Sequence, residues 1–477
     1  MSLKQLFVII KDMCLRLPGY KHTLCVSLIF LTLAAIYIWN ASHLSFGSGY
    51  DEVGHVAYIR SVAEYRTIPS PLSGWATFHP PFYHVISSFI WSLMKPLGPA
   101  AVIISIRIVS ALSILLAALL AHILLKKLAF PDSVVLLSTS LLLSLPAAVM
   151  AASWIGNEAL TAAASSIACV AAVLSAQKQN NSKWAFVAGI LSGLAFASKY
   201  TGILTVAGAL AANFNLSTRR LHIRNVLLTI VGFIVILAPI LIRNVNATGT
   251  ILPMTRNLAP IANIEARTHI HRSIDNYMTF SIKCLTQPRI YDYEHHSYYR
   301  HMDSVWGLTY AGLWFDPFEH RFPVNESIGL LETLPWLGLC PTFLMLAGLF
   351  NALKDVIKSR LSQAWLPLLA TAVFGLLVYI YWTWHSATLV AVKGSYLLPL
   401  SVPAACFFAR GLQKLTGRIR SAAIALCIIT IVANVLVLTQ GLIYDAPYKD
   451  PLGWTEIAYE MPYSGIHETI IWWLTAR

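Results

Sequence analysis

The adjacent carboxylates Asp51 and Glu52 are the residues of this sequence best suited to chemistry. They follow the first long apolar run of a chain with only 12% charged and 57% apolar residues. Because a carboxylate beside an apolar phase is costly to desolvate, its presence there favours a functional role. Such a carboxylate can take a proton from a hydroxyl or an amine as a general base. Asp51 is the first candidate for this role, and Glu52 is the second.

The other candidate residues lie in the loop after the first apolar run or at the ends of later runs. They are His79, Asn157, Glu158, Lys199, Tyr200, Arg243, Lys393 and Tyr396. Cations can neutralise a leaving group whose negative charge grows during a reaction, while Glu158 adds a third carboxylate for proton transfer. This combination suits a reaction in which a negatively charged group leaves. The sequence has no glycine-rich phosphate loop of the kind that binds a soluble nucleotide.

Structural roles remain open for these residues. Asp51 can act as the N-cap of a helix, and Glu52 suits the positive end of a helix dipole. Asn157 and Glu158 can simply begin a membrane span. The lysines and the arginine at the ends of apolar runs can be anchors that extend to lipid headgroups. Arg107, near the outer end of the second span, is interpreted as structural.

The elements that position these side chains are helices that cross a membrane. The mean hydropathy is +0.65, and apolar runs of about twenty residues recur along the whole sequence. The pattern predicts an all-α polytopic membrane protein with about eleven spans. The predicted spans are about 23–43, 100–123, 133–150, 157–176, 184–198, 201–217, 225–243, 327–350, 364–382, 394–411 and 421–442.

The loop between the first two spans, about 44–99, is predicted to hold two helices that lie on the membrane surface. Asp51 would cap the first of them. The Pro80-Pro81 pair would begin the second, which covers 82–94, because proline suits a first helical turn. That second helix is too short to cross a membrane.

Basic clusters occur in every second gap between the predicted spans, as the positive-inside rule requires. This pattern predicts a cytoplasmic N-terminus, with the loops 44–99 and 244–326 and the tail 444–477 outside. We therefore divide the chain into a multi-span domain, 1–443, which includes both loops, and the outer tail. The expected location is integral in a membrane, most simply a bacterial inner membrane with the candidate site facing the periplasm. Excess positive charge on the cytoplasmic side favours membrane lipids as neighbours and not nucleic acid.

Six short segments, taken in order, resemble the GT-C glycosyltransferases, which are multi-span enzymes that use polyprenyl-phosphate-linked sugars. The resemblance is to the branch that contains protein O-mannosyltransferases and the lipid A aminoarabinose transferase. The segments are Tyr50-Asp51-Glu52, His79-Pro80-Pro81-Phe82-Tyr83, Gly156-Asn157-Glu158-Ala159-Leu160, Gly193 to Gly202 with Lys199-Tyr200 inside it, Arg243-Asn244, and Lys393-Gly394-Ser395-Tyr396.

The resemblance implies a GT-C fold and a glycosyltransferase that moves a hexosyl or pentosyl group on the outer face. The donor would be a polyprenyl-phosphate sugar, and the acceptor a glycan, a lipid or a protein. Transfer would be inverting, with Asp51 as the base or as the carboxylate that orients the acceptor. His79, Lys199, Arg243 and Lys393 would hold the lipid phosphate.

This sequence departs from the family pattern at two positions. His79 stands where the family often has a basic residue beside the two prolines, and histidine is charged only part of the time. Ser395 stands where the family often has arginine. Lys393 then either holds the phosphate alone or shares it with an arginine of the large outer loop.

Histidines of the large outer loop raise the question of a metal ion. His269, His271, His301 and the segment Glu294-His295-His296 follow no familiar ligand spacing. We therefore assign no cofactor and no metal ligand. A divalent ion is the alternative, since some GT-C branches use one.

Two further functions compete with glycosyl transfer. A transporter or lipid flippase is the first alternative, and it should carry ionisable residues near mid-membrane, broken helices and repeated halves. This sequence has its charges near the ends of the predicted spans and shows no repeat. A catalytically silent assembly subunit is the second alternative, which the presence of Asp51 and the nearby cations disfavours.

Overall fold

Helices make up most of the chain between Gly19 and Ile443. The computed structural model describes residues 19–44, 46–47, 49–74, 76–178, 182–253, 270–292, 297–317, 328–358, 360 and 362–443. The first ten helices are α1 Gly19–His43, α2 Glu52–Tyr65, α3 Phe82–Met94, α4 Pro99–Lys127, α5 Asp132–Ser144, α6 Pro146–Ser153, α7 Asn157–Gln177, α8 Ser182–Ser198, α9 Leu204–Ala211 and α10 Ile223–Thr248. The others are α11 Asp275–Met278, α12 Val305–Trp314, α13 Ile328–Leu337, α14 Leu339–Ile357, α15 Trp365–His385, α16 Ser401–Lys414 and α17 Gly417–Ile443.

Shorter elements connect these helices. Two antiparallel hairpins pair β1 Phe214–Asn215 with β2 Arg220–Leu221, and β3 Tyr291–Asp292 with β4 Ser297–Tyr298. Segments of 3-10 helix cover Lys95–Leu97, Tyr200–Ile203, Ile282–Leu285, Arg300–Asp303, Leu389–Ala391 and Gly394–Leu400.

Within the described residues, eight helical segments are long and apolar enough to cross a membrane. They are Leu24–His43, Pro99–Lys127, Asn157–Gln177, Ile223–Thr248, Glu332–Ile357, Trp365–His385, Leu389–Lys414 and Gly417–Val437. The bent pair α5 and α6 is a ninth candidate, and the apolar helices Ser182–Ser198 and Tyr200–Ala211 are shorter. The predicted all-α polytopic fold is confirmed, whereas the number of eleven spans stays a prediction.

The prediction of one continuous helix over 133–150 is wrong. α5 and α6 meet at an angle of 54°. Pro146 causes the break, because it has no N–H and it disfavours helical backbone at Leu145, where ψ is 122°. α6 then ends at Ser153, and the chain is not helical again until Asn157. The backbone N–H and C=O groups in this gap are not used within a helix, so they can form hydrogen bonds with residues of the candidate site.

Two other predicted spans end or break elsewhere. The span 201–217 ends at Ala211, and the β1–β2 hairpin follows. The Asn215 side chain accepts hydrogen bonds from the backbone N–H groups of Ser217 and Thr218, both at 3.0 Å, which forms a turn instead of a helix. The predicted span 327–350 covers α13 and α14, which meet at Gly338 with helical backbone, and Glu332–Ile357 counts as one candidate span.

Both helices of the first loop begin where the sequence predicts, at residues 52 and 82. α3 has the predicted bounds, and α2 ends one residue before Arg66. α2 is not simply laid on a surface, because most of its residues are buried. The predicted side-chain cap is wrong: the Asp51 side chain makes no capping hydrogen bond, and its backbone is left-handed, with φ of 57°.

Small residues allow two close approaches that fix the bundle. A Cβ at Gly189 of α8 would lie 2.1 Å from the Thr229 carbonyl oxygen of α10, so only glycine fits there. A Cβ at Gly394 would lie 2.3 Å from the Gly312 carbonyl carbon of α12. The second approach seats the segment that begins at Lys393 against the described part of the large outer loop.

That part of the loop 244–326 packs on its own apolar core, which includes Leu285, Met302, Leu308 and Val392. Of the large loop, the ranges 254–269, 293–296 and 318–327 lie outside the described residues, as does the predicted outer tail 444–477. The core therefore positions Lys393 from the side of α12.

Candidate active site

Asp51 and Lys393 face each other although 342 residues separate them in the chain. Lys393 Nζ lies 3.9 Å from Asp51 Oδ2. The Asp51 side chain is 35% exposed and that of Lys393 only 11%. The carboxylate is therefore partly exposed, whereas the lysine is nearly buried. A left-handed φ at a residue other than glycine is uncommon and is found often at functional positions.

Two tyrosine rings form the wall around Lys393. Its Nζ lies 4.1 Å from the centre of the Tyr50 ring and 5.9 Å from that of Tyr396. Aromatic faces attract a cation without neutralising it. The charge of Lys393 thus remains available to an anion.

A second ion pair lies next to the first. Lys199 Nζ donates to Glu158 Oε1 at 2.6 Å, and both residues are buried. Lys199 also lies 4.5 Å from the centre of the Tyr396 ring. Both lysines therefore lie near the same Tyr396 ring. Glu158 stands in the first turn of α7, and Lys199 follows the end of α8.

Several buried polar atoms near these pairs have no hydrogen-bond partner. They are both amide atoms of Asn157, Oε2 of Glu158, Oδ2 of Asp316 and Oγ of Ser395. Asp316 is fully buried, and its Oδ1 accepts a hydrogen bond from the Tyr50 hydroxyl at 3.1 Å. Buried polar atoms are normally paired, so an unpaired group of them is typical of a place where a polar ligand binds.

Glu52 has a different environment from Asp51. Its side chain is fully buried and accepts two hydrogen bonds from Arg107, from Nε at 2.9 Å and from Nη2 at 3.1 Å. The backbone N–H groups of Gly47, Gly49 and Ile155 donate to the same carboxylate at 3.0, 3.3 and 3.0 Å. With both oxygens engaged, Glu52 ties the first loop to α4 and to the gap after α6. The interpretation of Arg107 as structural agrees with this geometry.

Three histidines pack together behind Asp51. His55 Nδ1 lies 2.9 Å from His84 Nε2, and His84 Nδ1 lies 3.3 Å from the Pro80 carbonyl oxygen. The ring of His79 stacks on that of His55 at 5.3 Å, and its Nδ1 is buried without a partner.

All three imidazoles are held neutral. Burial lowers the pKa of His55 to about 4, against the opposing effect of the Glu158 charge. Burial, and then the neighbouring His55, also lower the pKa values of His79 and His84 well below the ordinary value. A neutral His79 can donate a hydrogen bond to a phosphate but does not add a positive charge.

Arg243 and Tyr200 belong to a separate group that holds the first loop. Arg243 Nη2 donates to the carbonyl oxygens of Pro69 and Thr77 at 2.8 and 2.6 Å. The Tyr200 hydroxyl donates to the Phe78 carbonyl oxygen at 2.8 Å. Arg243 Nη1 is buried without a partner. These contacts fasten the strand of chain that leads into His79.

The structure thus brings most predicted site residues to one end of the bundle. Asp51, Glu158, Lys199, Lys393 and Tyr396 form one connected set, with Asn157 and His79 beside it, while Arg243 and Tyr200 brace the loop. Sequence reasoning missed four residues with defined contacts there: Tyr50, His55, His84 and Asp316. His55 was detectable, because it lies one helical turn after Asp51. Asp316 carries no local signal.

No three His, Cys, Asp or Glu side chains of the described residues are arranged to hold a metal ion. His269, Glu294, His295 and His296 lie outside that part of the chain. His301 Nε2 donates a hydrogen bond to the Gln287 carbonyl oxygen, 2.9 Å away, far along the chain from Asp51.

Residues 78–242 match the sequence profile of the dolichyl-phosphate-mannose-protein mannosyltransferase family. The match includes His79, Asn157, Glu158, Lys199 and Tyr200. Asp51 and Lys393 lie beyond it. The comparison with curated protein sequences gave no match.

Among solved structures, the oligosaccharyltransferase of Archaeoglobus fulgidus, in a complex with Zn and sulfate, aligns with a TM-score of 0.52 and 15% identity. The alignment covers 93% of this chain but only 56% of that longer one. ArnT from Cupriavidus metallidurans aligns in its apo state with a TM-score of 0.46, 16% identity, and 93% and 75% of the two chains covered. ArnT from the same organism bound to undecaprenyl phosphate aligns with a TM-score of 0.47 and 14% identity, and the alignment covers 94% of this chain and 77% of that one. This chain therefore has the fold of the GT-C glycosyltransferases, and its residues 78–242 carry the match to the dolichyl-phosphate-mannose-protein mannosyltransferase family.

Proposed function

We propose that this chain is an integral membrane glycosyltransferase that moves a sugar from a polyprenyl-phosphate-linked donor to an acceptor. Asp51 is the general base, and Lys393 and Lys199 hold the phosphate that leaves with the lipid. The transferred group is a hexosyl or pentosyl unit, and the acceptor is a glycan, a lipid or a protein. Because one base activates the acceptor directly, the transfer inverts the anomeric carbon.

One observation carries this proposal: the 3.9 Å contact between a partly exposed carboxylate, Asp51, and a nearly buried cation, Lys393. The reaction needs a proton acceptor next to the acceptor nucleophile and a positive charge next to the leaving phosphate. The two groups supply these functions side by side.

Lys199 is a second cation for the phosphate, although Glu158 already pairs with it. The pair is buried, and Glu158 Oε2 has no hydrogen-bond partner. We assign that oxygen and the Asn157 amide to hydroxyl groups of the donor sugar, because both can form hydrogen bonds that the free protein lacks. Tyr396, whose ring lies near both lysines, lines the same position.

Glu52 is not part of the proposed chemistry, although the sequence made it a catalytic candidate. Its five short contacts leave neither oxygen for an acceptor. We assign it to positioning Asp51, which directly precedes it. Arg243 has the corresponding role for His79, with Nη1 as its remaining donor for a phosphate.

The proposed location is a membrane with the Asp51 end facing out of the cytoplasm, most simply the periplasmic side of a bacterial inner membrane. A transporter remains the alternative, but it needs ionisable groups in the middle of spans. The pairs described here stand at helix ends: Glu158 is the second residue of α7, and Lys199 follows α8.

The test is a transfer assay with the purified full chain and a panel of polyprenyl-phosphate sugars, comparing wild type with Asp51→Asn. We expect release of polyprenyl phosphate and a glycosylated product with wild type only. Movement of the intact sugar lipid across a liposome bilayer, without release of polyprenyl phosphate, would instead identify a flippase.

A further inference from the structure

A basic cavity lies at the other end of the bundle from Asp51. It has a volume of about 1190 Å³ and is open to solvent. We call it the basic bowl, and the residues that matter for its chemistry are Lys178, Lys183, His222, Arg224 and Gln363. Lys178 follows the end of α7, whose first turn holds Glu158, so the full length of α7 separates the basic bowl from the candidate active site.

The charged residues that line the described part of the basic bowl are all positive. Lys178, Lys183 and Arg224 come from three different elements, and no described lining residue is acidic. Lys178 Nζ lies 5.5 Å from the centre of the Trp184 ring, an interaction that orients the ammonium group without neutralising it. Three cations converging from separate elements create a field that favours an anion.

Three helices also begin at the basic bowl. α8 begins at Ser182, α10 at Ile223 and α15 at Trp365. The first N–H groups of a helix have no partner inside it, and its N-terminus carries a partial positive charge. At α10 no side chain of the N-cap residue satisfies these groups, whereas at α15 the N–H groups of Trp365 and Leu366 donate to the carbonyl oxygens of Ser362 and Gln363 at 3.0 and 3.3 Å. Convergent helix N-termini and cations are the usual components of a phosphate site.

The side chain of His222 is an independent indication of a ligand. Its Nε2 is buried and has no hydrogen-bond partner. The backbone around it is fixed, because His222 N donates to the Asn213 carbonyl oxygen at 3.0 Å. Across the cavity, Gln363 Oε1 accepts from the Leu216 backbone N–H at 3.0 Å, which fixes the hairpin against α15. A rigid wall with an unpaired imidazole nitrogen is suited to an anionic oxygen.

We infer that the basic bowl binds a phosphate group, held by Lys178, Lys183, Arg224 and the N-termini of α8 and α10. The phosphate can belong to an anionic phospholipid headgroup or to a soluble phosphate compound, since the recognising contacts are the same. The headgroup is the better fit. The cavity opens at the ends of helices long enough to cross a membrane, and its volume exceeds that of an inorganic phosphate ion.

The experiment measures binding and does not depend on glycosyl transfer. The purified full chain is placed in nanodiscs of phosphatidylcholine with increasing phosphatidylglycerol, and retained lipid is counted by native mass spectrometry after release. A parallel arm titrates inorganic pyrophosphate in phosphatidylcholine nanodiscs and follows thermal unfolding. The variants are Arg224→Gln and the double change Lys178→Gln with Lys183→Gln. Lys414→Gln is the matched control, since this exposed lysine ends α16 outside the basic bowl.

We expect phosphatidylglycerol to be retained by wild type and by Lys414→Gln, and to bind at least tenfold more weakly to Arg224→Gln and to the double variant. Pyrophosphate binding that is lost in the same variants, without selective phosphatidylglycerol retention, assigns the phosphate to a soluble source. If both ligands bind the basic-bowl variants as tightly as they bind Lys414→Gln, while all the proteins unfold at the same temperature, the inference is overturned. If a His222→Leu variant binds phosphatidylglycerol as tightly as wild type does, the imidazole is not part of the site and its assigned role is wrong.

Discussion

His55 Nδ1 lies 2.9 Å from His84 Nε2, and this contact joins α2 to α3. His84 Nδ1 faces the Pro80 carbonyl oxygen, so it must carry a hydrogen. Nε2 of a neutral His84 is then an acceptor, and His55 Nδ1 must be the donor. The remaining nitrogen of His55, Nε2, keeps its lone pair, one helical turn after Asp51. The order Pro80, His84, His55 therefore fixes the tautomer of a ring at the candidate site.

The three buried histidines predict that the protein loses stability in mild acid. Their pKa values are lowered in the folded state, to about 4 for His55, whereas the unfolded chain titrates near 6.5. Above about pH 6.5 these groups leave stability unchanged. Below it the unfolded state binds protons that the folded state refuses, so the free energy of unfolding falls by up to about 1.4 kcal/mol per pH unit for each group.

The measurement is thermal unfolding of the detergent-purified chain between pH 7.5 and 5. A His55→Gln variant keeps a hydrogen-bonding side chain and should show a shallower decline than wild type. Parallel declines for the two proteins would contradict the assignment to His55.

Asp51→Asn is expected to fold normally and to lose about 10²–10⁴-fold in rate, the usual cost of a missing general base. Asparagine tolerates the left-handed backbone at this position, where φ is 57°. Rates are measured with a saturating polyprenyl-phosphate donor. Glu64→Gln on the same helix is the control, because that carboxylate pairs with Arg60 and not with Lys393. Near-normal turnover of a folded Asp51→Asn protein would exclude the role of base.

Lys393→Ala is expected to weaken use of the donor by about ten- to a hundredfold, because a charge-assisted contact to phosphate is lost. Lys393→Arg should restore part of that loss. Donor titrations give the apparent KM and kcat of each variant. Lys95→Ala serves as the control, because Lys95 is an exposed cation that lies 3.6 Å from Glu64. An unchanged donor KM and kcat in Lys393→Ala would return this lysine to the role of a membrane anchor.

Glu52→Gln is expected to destabilise the fold and not only the reaction. Breaking a buried ion pair by removing one partner costs about 3–5 kcal/mol, since the other charge stays buried. The apparent melting temperature should fall for Glu52→Gln and for Arg107→Met. If Glu52→Gln melts like wild type and yet transfers no sugar, the catalytic role that the sequence suggested for Glu52 is correct after all.

The orientation in the membrane is the last prediction. Single cysteines introduced at Lys127, Lys354 and Lys414 should react only with a reagent that enters the cytoplasm, because these residues belong to the basic loops. A cysteine at Lys95 should react from outside. Labelling with the opposite pattern would reverse the sidedness and place the Asp51 end in the cytoplasm.

The helices were predictable from local signals, whereas the breaks in them were less so. Pro81 and Pro96 bracket α3, and its bounds follow from those prolines. Pro146 gave the same kind of signal inside the predicted span 133–150, but hydropathy alone hides a bend. The hairpin after Ala211 depends on the Asn215 side chain, which a hydropathy window does not detect.

The members of the candidate site were predictable, but their partners were not. Asp51, Lys199 and Lys393 stand out because charges are rare in this sequence. Which cation meets which carboxylate depends on helix packing, since 41 positions separate Glu158 from Lys199 and 266 separate Tyr50 from Asp316. Glu52 and Asp51 are neighbours with the same chemistry in the sequence. Only the helical turn that directs Glu52 inward distinguishes them.

The hydrogen bond from the Ile155 backbone N–H to Glu52 has a consequence for how the protein is made. The two residues are 103 positions apart, and α4, α5 and α6 lie between them. During synthesis the Glu52 carboxylate emerges before Arg107 and long before Ile155, so its shell of donors is complete only when the ribosome has passed the start of α7. The contacts that fix Glu52 in the first loop are therefore completed only after the loop's own sequence has left the ribosome.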